Sequence, residues 1–158
     1  MVNTLMSESV RTLVDTSSPF AVAAKLFNFG LPIVPLLEDL LTQPMRDPMS
    51  DSSRNHLAAL LVELGSAAGV PHLLSLLKHR NPDSLMAALV LGKARVQEAA
   101  PLILRVLQEW DCASDPYSAA TLIDALKRLD ALPDSLKESI RQRWPIQMQP
   151  ALEKLFQR

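Results

Sequence analysis

Few side chains in this sequence have the type and spacing to do chemistry. Cys112 is the only cysteine. It follows Trp110-Asp111, and a thiol becomes a nucleophile only with a base beside it and surroundings that stabilise the thiolate. No histidine lies near it in sequence, so a structural thiol is the expectation. One cysteine permits no intramolecular disulfide, and a reducing compartment is the simpler setting. His72 and His79 are seven residues apart, a spacing that puts both on one helix face. That segment carries no carboxylate, and a metal needs several converging ligands. They are expected to be solvated surface histidines, with no metal and no cofactor. Trp110, Asp111 and Trp144 carry groups that could stack on and hydrogen-bond a nucleobase. Both tryptophans continue apolar helical stripes, so packing is the expected role.

The elements that must position these groups read as helices. Apolar residues make up 48% of the 158 residues and aromatics only 4%, so the core must be built from Leu, Ala, Val and Ile. Four glycines against 12 prolines suit many short helices with sharp ends. Leu57, Leu60, Leu61 and Leu64 fall at i, i+3, i+4 and i+7, and Gly65 stands where a helix-ending glycine belongs. Val70, Leu73, Leu74 and Leu77 repeat the spacing. Asn81-Pro82 reads as an N-cap and first-turn proline opening a helix that stops at Gly92. Val96 to Trp110 forms the next, Asp115-Pro116 opens another through Leu129, and Leu136 and Ile140 mark one before Pro145. The expected helix pairs span about 19–42, 52–79, 82–110 and 116–144 of a single domain, 1–158, with terminal helices at 4–15 and 147–157. Gln43 to Ser53, rich in Pro, Ser and Asp, is expected to be a mobile loop. No segment alternates with period two between hairpin turns, so no strand is expected.

The formal charge of −1 removes the broad attraction that nucleic-acid and anionic-membrane binders carry. The longest apolar run, Leu85 to Leu91, is far short of a membrane span, and the first residues lack the pattern of a secretory signal. A soluble, cytoplasmic protein is the expectation.

An internal repeat points to the architecture. Asp47-Pro48, Asn81-Pro82 and Asp115-Pro116 recur at a spacing of 34. Pro35, Pro71 and Pro101 each open a Leu-rich second helix, at spacings of 36 and 30. Helix pairs of this length that bury their faces against neighbours are the signature of an α-solenoid. The stretch Ser84-Leu85-Met86-Ala87-Ala88-Leu89-Val90-Leu91-Gly92, followed by Ala99-Ala100-Pro101-Leu102-Ile103-Leu104-Arg105-Val106-Leu107, resembles the short bacterial HEAT-like repeats shared with phycobilisome lyases. The resemblance covers roughly residues 19 to 144. It implies an all-α fold: a short right-handed α-solenoid of antiparallel helix pairs, an α-α superhelix.

The same resemblance implies functions that can be weighed on residues. HEAT-repeat di-iron hydroxylases carry His-Glu dipeptides on successive repeats, and this sequence has none. HEAT-like DNA glycosylases use a basic concave face, whereas this chain has no continuous basic groove, so nucleic acid is disfavoured. No residue identifies a bilin site, which leaves a phycobilin-lyase-like accessory factor or chaperone as an alternative, and a nucleic-acid binder as another. In HEAT-like stacks the second helices line the concave face. Aligning them puts Glu38, Ser75, Arg105 and Lys137 in one column and Thr42, His79, Glu109 and Arg141 one turn further on. Lys78, Arg80, Lys93 and Arg95 add positive charge. The expected function is a non-enzymatic protein-protein interaction module, an adaptor or regulator. Its candidate contacts are Ser75, His79, Arg105, Glu109, Lys137 and Arg141, and its partner another protein offering an acidic segment.

Overall fold

A computed structural model of the chain describes residues 33–42, 51–79 and 81–157. The expected helix at 4–15, the first helix of the 19–42 pair, Asp47-Pro48 and Arg80 lie outside these residues. Every regular element among the described residues is helical: α1 (Ile33–Thr42), α2 (Asp51–Glu63), α3 (Val70–Lys78), α4 (Ser84–Lys93), α5 (Ala100–Glu109), α6 (Pro116–Arg128), α7 (Asp134–Arg143) and α8 (Gln149–Gln157). The chain forms two compact units, Met1–Leu73 and Leu74–Arg158.

One connection recurs and explains how the helices end. After α2, the Gly65 N–H donates to the Val62 carbonyl and the Ser66 N–H to that of Leu61. After α4, Arg95 bonds to Gly92 and Val96 to Leu91; after α6, Asp130 bonds to Lys127 and Ala131 to Leu126. Each is the paired closure that satisfies the last carbonyls of a helix by turning one residue left-handed. That residue is Gly65 (φ 85°) in the first, Arg95 (φ 55°) in the second and Asp130 (φ 53°) in the third. A 3-10 turn then leads into the next helix at Ala67–Gly69 and Gln97–Ala99.

Three sequence expectations shift here. The helix expected to stop at Gly92 runs on to Lys93, and the left-handed position belongs to Arg95. Gly92 is instead a contact glycine, because a Cβ there would stand 2.9 Å from both Cα and Cβ of Ala125 on α6. Asn81 precedes the helix rather than capping it. Its Oδ1 accepts from the Asp83 N–H (2.9 Å), and α4 begins at Ser84. Asp115 does cap α6 as expected, accepting from the Ser118 N–H with Pro116 in the first turn. Of the expected loop, Asp51–Ser53 belong to α2, and residues 43–50 lie outside the described residues.

In the N-terminal unit, Leu37 and Leu40 of α1 pack on Leu57, Leu60 and Leu61 of α2, with Ile33, Val34 and Leu41 around them. The Ser66 hydroxyl ties the turn to α1 by donating to Glu38 Oε1 (2.5 Å). In the C-terminal unit α6 is central, packed by α4, α5 and α8. Its Ala119, Leu122, Ile123 and Leu126 are fully buried, as expected from their spacing.

Candidate functional site

The structure distributes the candidate contact residues over different environments. Ser75 is exposed on α3, and His79 is exposed in the turn that follows it. Arg105, on α5, donates from Nη2 to the Lys78 carbonyl at the end of α3 (3.0 Å). Lys137 donates to Asp134 Oδ1 one turn back on α7 (2.6 Å). Arg141 is the most engaged. Its Nε and Nη2 meet Glu153 of α8 at 2.6 and 3.2 Å, its Nη1 meets Glu138 at 3.3 Å, and its guanidinium carbon lies 5.3 Å from the Phe156 ring centroid. Of the cations expected to face an acidic partner, Arg105 and Arg141 thus tie one helix to another, and Lys137 pairs within its own helix. Glu38, the first member of the same column, accepts from the Ser66 hydroxyl.

Two cavities of the C-terminal unit contain members of the candidate set. Glu109 borders one of about 340 Å³, and Lys137 borders another of about 260 Å³ together with Lys127, Asp130, Leu132 and Phe156. Ser75, His79, Arg105 and Arg141 line neither of them. Lys127, on a first helix, therefore shares a cavity with Lys137, which the column alignment does not foresee.

The larger cleft lies between the start of α4 and the end of α5. Pro82, Leu85, Val106 and Trp110 form its apolar wall, and Asn81, Ser84 and Glu109 supply its polar groups. Its shape follows from two local events. The Asn81-Pro82 turn delays α4 by a few residues, and α5 ends at Glu109 because Trp110 leaves the helix for an extended conformation (φ −73°, ψ 136°). The indole then reaches forward along the chain, its Nε1–H donating to the Asp115 carbonyl (3.3 Å). The Ser84 hydroxyl is buried and directed inward, donating to the carbonyls of Asn81 (2.6 Å) and Leu76 (3.0 Å). Trp110, expected to continue an apolar helical stripe, instead stands just past the end of its helix, beside the Asn81-Pro82 turn.

The residues read first for chemistry have structural surroundings. Cys112 is buried, and burial pushes its thiol up against the opposing pull of Arg143. His72 departs from the expectation of a solvated histidine. It is half-buried, and its Nε2–H donates to Oδ1 of the buried Asn55 (2.7 Å). Burial, reinforced by the Arg54 charge and opposed by Asp51, holds its imidazole below the usual value of 6.5. Trp144 is buried, with no hydrogen-bond partner for Nε1. Among the described residues no three or more His, Cys, Asp or Glu gather where a metal ion could sit, and no helix is long and apolar enough to cross a membrane.

Compared with protein-family models, curated proteins and solved structures, the chain matches none.

Proposed function

We propose that this chain is a non-enzymatic protein-interaction module, an adaptor or regulator built as a short solenoid of HEAT-like helix pairs. A partner segment docks in the cleft between Pro82 and Trp110. The recurrence of helix, left-handed turn and second helix at Gly65, Arg95 and Asp130 supports the solenoid reading. The observation that carries the docking reading is the cleft itself. It holds about 340 Å³, within the range of roughly 300–1,000 Å³ usual for ligand pockets, and has a Trp on an otherwise aliphatic wall. Aromatic residues of this kind anchor interfaces, since they offer large contact area with little conformational entropy to lose. The arginines first considered for docking are engaged within the protein, which favours the cleft over the column.

A random-peptide library displayed on phage and selected against the purified chain tests this. Selected peptides should lose binding to a Leu85→Glu variant, whose carboxylate is placed on the apolar wall, while circular dichroism stays helical. Peptides that bind both proteins equally would remove the cleft as the docking site.

A further inference from the structure

We infer that α8 is a strap that opens and closes in the native protein, and that its opening loosens the Trp110 wall and so regulates the cleft. As regulation of docking this rests on the cleft being the docking site; the link between α8 and Trp110 needs no ligand. The strap has nine residues, of which Leu152 alone is buried, whereas α6 buries Ala119, Leu122, Ile123, Ala125 and Leu126. A helix this short is marginal without packing. Elements with few buried apolar contacts are the ones that open ahead of global unfolding. Leu155 and Phe156 are half-buried, and the other attachments are polar. Glu153 meets Arg141 of α7 at 2.6 and 3.2 Å, the same guanidinium lies 5.3 Å from the Phe156 ring centroid, and the Lys127 ammonium of α6 meets the Leu155 carbonyl. The Arg141–Glu153 pair is the latch. Its side chains are 37% and 42% exposed, so water and salt compete for both partners.

The path from the strap to the cleft runs through the last turn of α7. On one side, Gln149 at the start of α8 donates from Nε2 to the carbonyls of Arg141 (2.7 Å) and Trp144 (3.3 Å), acceptors left open where α7 ends. On the other side, Arg143 donates from Nη1 to the carbonyls of Gln108 (3.0 Å) and Trp110 (3.3 Å). Residues 141–144 therefore stand between α8 and the cleft, tied to each by side-chain bonds to backbone carbonyls. When α8 lifts, Gln149 leaves with it and the end of α7 is left to fray. Arg143 then holds Trp110 less firmly, and the bond from the indole N–H to the Asp115 carbonyl is the wall's other fixed point. Coupling between sites needs an element with two states and contacts that connect it to both. The strap supplies the states, and the end of α7 supplies the contacts.

The test uses the full chain. In hydrogen exchange followed by mass spectrometry, the α8 amides should exchange at least about tenfold faster than those of α6. Glu153→Gln should speed exchange in α8 by about threefold, the scale of an exposed ion pair, and leave α6 unchanged. Raising salt from about 0.05 to about 0.5 M should do the same to the wild type. On 15N-labelled protein the reporter is the Trp110 indole cross-peak, assigned by its persistence in Trp144→Phe. Glu153→Gln should shift or broaden that peak. Added to Arg143→Gln, it should leave the peak where Arg143→Gln alone puts it, while α8 still exchanges faster. Amides of α8 that exchange no faster than those of α6 overturn the strap. A Trp110 peak that Glu153→Gln does not move, or moves equally without Arg143, overturns the link to the cleft. Neither readout uses a ligand, so both results can hold where peptide docking fails, and the two failures are told apart.

Discussion

Gly69 offers a quantitative check on how closely the N-terminal unit is packed. A Cβ built on it would lie 2.2 Å from the Ala58 carbonyl oxygen and 3.1 Å from Val62 Cγ2. The oxygen is backbone in the middle of α2, so it cannot rotate aside, and the turn must move by roughly 1 Å to restore an ordinary contact. Overpacking of this kind costs about 1–3 kcal/mol, and the lower entropy of an unfolded alanine chain returns about 0.4–1 kcal/mol. With backbone on one side and the stiff, β-branched Val62 on the other, the upper part of the first range applies, and Gly69→Ala should lose about 2 kcal/mol. For a urea slope of about 1–3 kcal/mol/M, the midpoint followed by circular dichroism at 222 nm should fall by about 1 M. The corresponding residue of the second such 3-10 turn is Ala99, which ends it and is fully buried. Ala99→Gly should also destabilise, for the opposite reason, through lost methyl burial of about 0.8 kcal/mol and a glycine entropy cost of about 0.5–1 kcal/mol. An unchanged or raised midpoint in Gly69→Ala would refute the close approach of turn and helix.

Other substitutions probe single groups. Trp144→Phe removes a buried N–H that has no partner. Leaving such a donor unmet costs about 1–3 kcal/mol, which offsets the lost ring area, so the urea midpoint should hold or rise; a clear drop would mean the donor is satisfied in solution. Cys112 should react with a thiol reagent at pH 8 far more slowly in the native protein than in urea, because burial both covers the sulfur and keeps it protonated; equal rates would contradict that. The His72 pKa is depressed on folding, so its contribution is complete above the unfolded value of 6.5 and is lost as pH falls through the lower folded value. Stability should start to decline below pH 6.5, ahead of the exposed carboxylates Asp134 and Glu153, whose depressed pKa values place their losses at still lower pH. His72→Gln should flatten the earlier part of that decline, and an identical profile would exclude His72 as its source.

The helices were legible because their cause is local. The Leu57, Leu60, Leu61, Leu64 spacing and the Asp115-Pro116 start each specify one element without reference to the rest of the chain. Gly92 shows where that stops. A glycine near the end of an apolar run can mark a left-handed turn or a close helix contact, and only the position of Ala125, thirty-three residues away in sequence, decides between them. Of the three left-handed residues, Gly65 is the type that sequence reasoning chooses, Asp130 is one that tolerates the conformation without announcing it, and Arg95 is one it would not choose. The paired hydrogen bonds that close those turns hold them there despite the side chain.

Charge was the least legible feature, for a related reason. A helical wheel gives the direction of a Cβ, but an arginine side chain extends well beyond it and settles wherever acceptors are unmet. The last carbonyls of a helix are such acceptors, and they carry the negative end of its dipole. Arg105 meets the Lys78 carbonyl, Arg143 meets those of Gln108 (3.0 Å) and Trp110 (3.3 Å), and the Lys127 ammonium meets that of Leu155. In each case a cation on one helix closes the C-terminal end of another, so a column of basic residues assembled from sequence alignment is in part a column of fastenings. The Trp110 carbonyl accepts from Arg143 while its indole donates to the Asp115 carbonyl, so the cleft's aromatic wall is fixed at two points. A wall held in place before a ligand arrives has little ordering entropy left to lose on binding. That is why the cleft, rather than the more strongly charged surface around α7, is the better place to look for a partner.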